Sequence, residues 1–271
     1  MLKTLGFLAV LASAKADYNI LSFGDSQGDT GPTYAVIQDV LDQNNVAAKV
    51  VNAAVGGTLS CGWAAESDAI VIAGRSAFPV SGPDLVWLTV GGNDLAGDAK
   101  YHACLKLSKT DSAARRCLDA ANSRLIECTK TLLDGLWKGF PDAKVGMYNY
   151  EVPCVEDYCL EESANFLGGD YCLSQSSPIG CMVDLLSYWQ TIYVDALEVM
   201  YGKEKFTGMN MLGVAQQASG VPGASQGNPS RDAGSKCEWM TSCVHPTYGT
   251  KTADAIGEVL WMDWLRNVTN I

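Results

Sequence analysis

Apolar runs of strand length alternate with longer amphipathic segments along most of the chain, and this alternation predicts an α/β fold. The run at 84–90 (DLVWLTV) is almost wholly apolar, as expected of a strand that is covered on both faces. Strands are predicted at Asn19–Phe23, Ala48–Asn52, Asp84–Val90, Lys144–Tyr150 and Phe206–Met211. Helices are predicted at Pro32–Leu41, Ser112–Trp137, Met182–Met200 and Tyr248–Leu265. Strand and helix in this order indicate a parallel sheet with helices on both faces.

Two segments do not follow this pattern. Glu151–Cys181 has little periodicity, and Gln217–Lys236 is rich in Gly, Ser, Ala, Pro and Asn, as in a loop. Both segments follow the carboxyl ends of predicted strands. Open α/β sheets bind their ligands at that edge, so both segments are predicted to border a site.

The first 16 residues are typical of a secretory signal peptide. Lys3 precedes the apolar run Leu5–Ala12, and Ala14-Lys15-Ala16 is a small-x-small cleavage pattern. The apolar run is shorter than the roughly 20 residues that cross a bilayer. We therefore expect an extracellular protein without a stable membrane anchor, formed as a single domain over 17–271.

The overall composition excludes some classes of protein. The chain is 48% hydrophobic and 18% charged, which excludes a disordered chain. Its net charge of −11, without a long run of Lys or Arg, disfavours a nucleic-acid partner.

The ten cysteines predict up to five disulfides in an oxidising compartment. A zinc site is disfavoured, because the chain has no Cys-x-x-Cys pair and only two histidines. Cys117 and Cys128 lie about 16 Å apart along one predicted helix, which is too far for them to bond to each other. Small loops could be closed by two pairs of short spacing, Cys154–Cys159 and Cys237–Cys243. The remaining connectivity stays open.

The segment 24–28 (GDSQG) follows the first strand and matches Gly-x-Ser-x-Gly, in which the serine is a nucleophile on a strand-to-helix turn. It is not a phosphate-binding loop, because no Gly-Lys-Ser/Thr follows, and its glycine spacing does not suit a dinucleotide. The alternative is that Ser26 or Asp29 only caps the next helix.

Three further motifs follow along the chain. Gly57 comes after the second strand, and it could expose a backbone N–H to an oxyanion or simply form a turn. Asn93 follows the third strand and could donate its side-chain N–H, or be a turn residue. His245 precedes the last helix and is the candidate general base, or only a helix-entry residue. His102 lies in a polar stretch that is typical of a surface loop.

The order and spacing of these motifs resemble the SGNH (GDSL) hydrolases over about residues 18–265. The matching segments are Gly24-Asp25-Ser26, Asn52–Thr58, Gly91-Gly92-Asn93-Asp94 and His245-Pro246. The resemblance implies a three-layer α/β/α flavodoxin-like fold with a five-stranded parallel sheet. It also implies ester hydrolysis, with Ser26 as nucleophile, His245 as general base, and an oxyanion hole of the Ser26 and Gly57 N–H groups and the Asn93 side chain. No metal or organic cofactor is expected.

One position departs from the family pattern. The family places Asp three residues before the histidine, and here that residue is Ser242. The acid normally fixes the imidazole tautomer and stabilises the imidazolium. Glu238 or Asp232 could replace it, Ser242 itself could be the partner, or a backbone carbonyl could accept the proton; the carbonyl, or a bare Ser–His dyad, is favoured. A Cys237–Cys243 bridge would stiffen this segment.

The substrate is expected to be a small-molecule or glycan ester, with short acyl or O-acetyl groups favoured. Trp63, Tyr150 and Trp239 are candidates for a substrate rim, although aromatic residues are also common in cores. The alternatives are a catalytically degenerate relative that binds glycan or lipid, and a lipase or acyltransferase that uses the same site. Asn267, in Asn-Val-Thr, is the predicted glycosylation position.

Overall fold

A computed structural model describes residues 18–29, 33–66, 68–97, 101, 104, 111–156, 158–167 and 169–269. The predicted signal peptide and His102 lie outside the described residues.

Five parallel strands form the central sheet, and their spatial order is β2-β1-β3-β4-β5. The strands are β1 (Tyr18–Gly24), β2 (Ala48–Asn52), β3 (Leu85–Thr89), β4 (Lys144–Tyr148) and β5 (Phe206–Met209). This order is that of the flavodoxin-like doubly wound sheet. The expected fold is therefore confirmed, and each strand begins and ends within two residues of its predicted bounds.

Helices cover both faces of the sheet. The described helices are Ser26–Asp29, Thr33–Gln43, Ser60–Ala65, Ala69–Ala77, Gly92–Gly97, Asp111–Gly139, Tyr158–Leu167, Gly169–Leu173, Pro178–Trp189, Asp195–Tyr201, Val214–Ala218, Lys251–Leu260 and Arg266–Thr269. Two π-helical segments, Gln190–Val194 and Trp261–Leu265, join neighbouring helices without a break. No described helix has both the length and the apolar character needed to cross a membrane.

The segment 151–181, which showed little periodicity, contains two of these helices. Tyr158–Leu167 and Gly169–Leu173 span ten and five residues. Helices this short hold three turns or fewer, so they display little of the repeat by which a helix is recognised in sequence.

Alternate residues of each strand enter two separate cores, because successive side chains of a strand point to opposite faces. Leu21 and Val86 pack with one helix layer, whereas Ile20 and Trp87 pack with the other. Gly146 in β4 makes room for a large neighbour, since a Cβ there would lie 2.5 Å from the Trp264 ring. The result is the three-layer sandwich that the sequence predicted.

Five disulfides brace the layers and loops. The pairs are Cys61–Cys128, Cys104–Cys117, Cys154–Cys237, Cys159–Cys243 and Cys172–Cys181. The predicted number is confirmed, and so is the exclusion of a Cys117–Cys128 bond.

The two short-loop pairings were wrong. Cys154 and Cys159 each bond to a cysteine more than 80 residues away, Cys237 and Cys243 respectively, rather than to each other. The reason is that the segment after β4 lies beside the segment before His245, where the Cys154 N–H donates to the Cys243 carbonyl at 2.9 Å. The sulfur atoms of Cys154, Cys159 and Cys237 lie within 4.8 Å of one another, but all three are in disulfides rather than available to a metal.

The length of the chain that each disulfide closes predicts its contribution to stability. Cys61→Ala/Cys128→Ala opens a loop of 67 residues and is expected to lower the free energy of unfolding by about 4 kcal/mol. Cys172→Ala/Cys181→Ala opens a loop of 9 residues, with an expected loss of about 2.5 kcal/mol. Urea unfolding of the two double variants measures both values. Equal losses, or a larger loss for the short loop, would contradict the prediction.

Candidate functional site

The nucleophile motif begins where β1 touches β3. Gly24 has φ of +140°, and a Cβ there would lie 1.9 Å from the Thr89 carbonyl oxygen. Only glycine allows this approach. The Asp25 N–H then donates to the same carbonyl at 2.7 Å, and the chain enters the short helix Ser26–Asp29. The sequence therefore places Ser26 on a sharp turn at the carboxyl edge of the sheet.

Asp25 supports this turn from below. Its side chain is fully buried, accepts the Gln27 N–H at 3.1 Å, and accepts a hydrogen bond from the Tyr150 hydroxyl. Burial raises the pKa of Asp25 to about 7, although these hydrogen bonds oppose the rise. The Tyr150 hydroxyl also accepts the Gly92 N–H at 3.1 Å, so it ties the turn after β1 to the turn after β3.

Tyr150 was a candidate for a substrate rim, and the structure places it elsewhere. The side chain is only 5% exposed, and a Cβ at Gly92 would lie 2.1 Å from its ring. Tyr150 is thus a buried support beneath the nucleophile turn, held too tightly to line an open rim.

Ser26 and His245 meet across 219 residues of sequence. The distance between His245 Nε2 and Ser26 Oγ is 2.8 Å, that of a hydrogen bond. Burial lowers the pKa of His245 below 6.5, and a backbone hydrogen bond with Thr241 opposes this change. The imidazole is therefore mainly neutral at pH 7, as a general base must be.

The same hydrogen bonds indicate the tautomer of His245. A bond that raises the pKa of an imidazole is one that a ring N–H donates, so the acceptor is the Thr241 carbonyl. Because Nε2 faces Ser26, the donor is Nδ1. In this tautomer the Nε2 lone pair faces the Ser26 hydroxyl.

A small hairpin presents the histidine. Strands β6 (Met240–Thr241) and β7 (His245–Pro246) are antiparallel, and Thr241 pairs with His245. The connecting turn holds Ser242 at φ of +49° and Cys243 at +58°. Two successive non-glycine residues in the left-handed region are strained, and the Cys159–Cys243 disulfide fixes the strained turn.

None of the side chains proposed to orient His245 is its hydrogen-bond partner among the described residues. Ser242 and Asp232 are exposed, and Glu238 is exposed and pairs with Lys236 at 3.7 Å. The Thr241 carbonyl takes that place. The Cys237–Cys243 bridge invoked to stiffen this segment is replaced by two bonds, from Cys237 and from Cys243, to the segment after β4.

The glycine motif lies against Ser26. Gly57 has φ of +77°, and a Cβ there would meet no atom within 4 Å, so its backbone borders open space. A Cβ at the preceding Gly56 would lie 3.8 Å from the Ser26 Cβ. The Gly56 N–H donates to the Asp29 carboxylate at 2.9 Å. Asp29, considered in the sequence only as a helix cap, thus joins the two motifs.

Asn93 lies beside the same loop. Its Nδ2 donates to the Thr58 carbonyl at 3.1 Å, one residue after Gly57. The next residue, Asp94, accepts hydrogen bonds from the N–H and hydroxyl of Ser60, both at 2.9 Å. Ser26, Gly57, Asn93 and His245 are therefore brought to one edge of the sheet.

The remaining sequence candidates lie around this edge. Trp63 is half-buried, donates its Nε1–H to the Thr58 hydroxyl at 2.9 Å, and packs against Phe23. Trp239 is half-buried, with the Lys236 ammonium 4.6 Å from its ring centre. Asn267 is exposed on the last described helix.

Glu151, directly after Tyr150, is a buried carboxyl group at the end of the fourth predicted strand, and the sequence alone assigns it no role. It is only 4% exposed, and burial raises its pKa to about 7. No motif marks Glu151 as buried, because the chain has 30 acidic residues and the pattern around this one does not distinguish it from an exposed carboxylate.

Comparison with known proteins yields structural likeness alone. No protein-family model matches the chain, and no curated protein matches it. Among solved structures, the lipase Lip_vut3 from a goat rumen metagenome has a TM-score of 0.55 at 13% identity, over 91% of this chain and 97% of that one. The acetyl xylan esterase AlAXEase has a TM-score of 0.51 at 12% identity, over 91% of this chain and 100% of that one. With the strand order above, these likenesses show that the chain shares the three-layer α/β/α fold of these two structures.

Replacement of Ser242, Glu238 or Asp232 by Ala is expected to leave the pKa of His245 almost unchanged. The reason is that the Thr241 carbonyl, and none of these side chains, bonds to the imidazole. NMR titration of the imidazole signals measures this pKa. A clear fall in one variant would identify that side chain as the missing partner.

Glu151→Gln is expected to flatten the dependence of stability on pH. The folded-state pKa of Glu151 lies above its ordinary value of 4.5, so the folded protein loses stability as pH rises from about 4.5 to 7. A rise in the pKa of Glu151 from 4.5 to about 7 corresponds to about 3 kcal/mol of folding free energy. The original protein should lose this stability between the two pH values, and Glu151→Gln should not. Urea unfolding at pH 4.5 and 7.5 measures the difference, with the exposed Glu238→Gln as control. A variant that loses as much stability as the original protein over this range would overturn the prediction.

Proposed function

We propose that this protein is a secreted serine esterase that hydrolyses carboxylic esters through an acyl-enzyme on Ser26. The observation that carries the proposal is the 2.8 Å contact between Ser26 Oγ and His245 Nε2. A serine hydroxyl is a weak nucleophile until a neighbouring base accepts its proton. The neutral, Nδ1-protonated imidazole described above is such a base.

The reaction proceeds in two halves. His245 Nε2 accepts the Ser26 proton while Oγ attacks the ester carbonyl, and the imidazolium then gives that proton to the departing alcohol. Water, deprotonated by the same nitrogen, then attacks the acyl carbonyl, and the imidazolium returns this proton to Ser26 Oγ as the acid leaves. These steps use the groups of the chain itself, so the proposal includes no metal or organic cofactor.

The oxyanion of each tetrahedral intermediate is stabilised by three donors, the N–H groups of Ser26 and Gly57 and the side chain of Asn93. An amide nitrogen carries two hydrogens, so the bond from Asn93 to Thr58 leaves a second hydrogen for the oxyanion. One such donor contributes about 3 to 4 kcal/mol to stabilisation of the transition state in a serine protease.

The favoured substrates are short acyl esters or O-acetyl groups of glycans. Val55 and Leu59 flank the glycine motif and are 49% and 41% exposed, which offers a small apolar surface at this motif. AlAXEase, which has the same fold, is an acetyl xylan esterase, so this fold accommodates an acetylated glycan.

Extracellular localisation is part of the proposal. It is supported by the signal-peptide pattern of residues 1–16 and by the five disulfides. Asn267 is exposed and accessible for glycosylation.

A second candidate function is the binding of a glycan or lipid ester without turnover. The observation that favours it is the neutral carbonyl of Thr241 in the place of a carboxylate. In serine proteases, replacement of the corresponding Asp by Asn lowers kcat roughly 10⁴-fold. An acyltransferase would use the same acyl-enzyme and differ only in the acceptor.

The first test is covalent labelling of the folded protein with a fluorophosphonate, read by intact mass. A single adduct is expected on the original protein and none on Ser26→Ala, because only an activated serine reacts. Ester panels of increasing acyl length then measure the substrate preference, with acetyl esters expected to be favoured. A folded protein without an adduct would contradict the esterase proposal and favour the binding protein.

A further inference from the structure

The side chain of Gln27 ties the nucleophile turn to the hairpin that carries His245. Its Nε2 donates a hydrogen bond of 3.1 Å to the carbonyl of Val244. Gln27 directly follows Ser26, and Val244 directly precedes His245. The bond therefore joins the same two backbone segments as the Ser26–His245 contact, one residue away from each partner.

Gln27 is itself fixed from both sides. Its N–H donates to Asp25 at 3.1 Å, and its carbonyl accepts the Thr33 hydroxyl at 2.7 Å. The side chain is fully buried. The amide is thus held on a rigid base, which a residue that positions another must have.

The hairpin that carries His245 needs a stabilising contact such as the hydrogen bond from Gln27. Each of its strands spans two residues, and isolated hairpins are marginal even when longer. Its disulfides, from Cys237 and Cys243, lead to the segment after β4 and not to the nucleophile turn. They fix the hairpin on the sheet edge, whereas the Gln27 amide connects it directly to Ser26's own turn.

The other atom of the amide indicates why glutamine is used. Gln27 Oε1 is buried and has no hydrogen-bond partner among the described residues. An unpartnered buried oxygen destabilises the folded state, so the needs of Oε1 do not explain an amide at this position. The bond donated by Nε2 explains the amide.

We propose that Gln27 is a positioning residue, which holds His245 Nε2 at bonding distance and angle to Ser26 Oγ through the Val244 carbonyl. The inference rests on the proposed esterase function. Its structural part, the state of the His245 ring, can be measured without turnover.

Gln27→Met removes the donor and keeps the length of the side chain. We expect kcat for an acetyl ester to fall about 10- to 100-fold, as for a misplaced catalytic group, with KM within about twofold. Gln190→Met is the matched control, because Gln190 is also buried, also donates one hydrogen bond from Nε2, and also has a buried Oε1 without a partner. The control should match the change in melting temperature and keep kcat.

The ring of His245 gives an independent readout. In a His102→Gln background, His245 is the only histidine, so its NMR signals are unambiguous. Gln27→Met should change a single Nδ1-protonated tautomer into a mixture and move the pKa of His245 up towards 6.5, because the ring becomes more exposed. Gln190→Met should leave both unchanged.

Gln27→Glu provides a second variant should the methionine protein fail to fold. A protonated carboxyl can donate to the Val244 carbonyl, and a carboxylate cannot. The ratio of its kcat to that of the original protein should therefore fall as pH rises. Asp25 and His245, the titratable groups beside this position, are present in both proteins.

Unchanged kcat with an unchanged ring in Gln27→Met would overturn the proposal. So would a loss of kcat that comes with a lower melting temperature than the control and an unchanged tautomer, since that result describes a merely structural residue. If the original protein forms no fluorophosphonate adduct, the esterase function fails. The tautomer and pKa of His245 would still decide the role of Gln27.

Discussion

The proposed chemistry depends on one hydrogen bond, between Ser26 on the turn after β1 and His245 on a hairpin 219 residues later. A proton can pass directly between Ser26 Oγ and His245 Nε2 only when the two atoms are at hydrogen-bonding distance, here 2.8 Å. The neighbouring contacts matter because each of them holds one of these two residues in place. The parallel sheet supplies the first condition. It brings the carboxyl ends of β1, β2 and β3 to the same edge, where the three strand-end motifs converge.

The two partners are held by different means. Ser26 rests on buried polar contacts, in which Asp25, the Tyr150 hydroxyl and the Gly92 N–H join three strand ends. His245 rests on a strained turn held by covalent bonds to the segment after β4. A short hairpin with two left-handed residues would open readily by itself, whereas a disulfide removes the open states from its ensemble.

The sequence predicted best those features that depend on residues close together in the chain. Strands β1 and β3 were predicted closely because they are largely buried apolar runs. The motifs were located because parallel strands end at one edge. Disulfide pairing was not predictable, because it depends on which segments lie side by side. The sequence could also not predict that Thr241 supplies the acceptor for His245. Every residue has a carbonyl, and no pattern marks the one that faces an imidazole. Tyr150 was assigned to a rim because aromatic type alone does not distinguish a buried hydroxyl from an exposed ring.

The Thr241 carbonyl separates two tasks that a carboxylate performs together. A carbonyl that accepts the Nδ1 proton fixes the tautomer as well as an acid does, but it has no net charge to stabilise the imidazolium. Burial already disfavours the charged ring, which lowers the pKa of His245. The site therefore favours the neutral base of the resting state over the ion that forms during the reaction. In the proposed reaction the imidazolium is the acid that protonates the leaving group, and the lack of a counter-ion would make it a stronger acid. In that reaction the arrangement would oppose proton removal from Ser26 and assist proton donation to the departing alcohol.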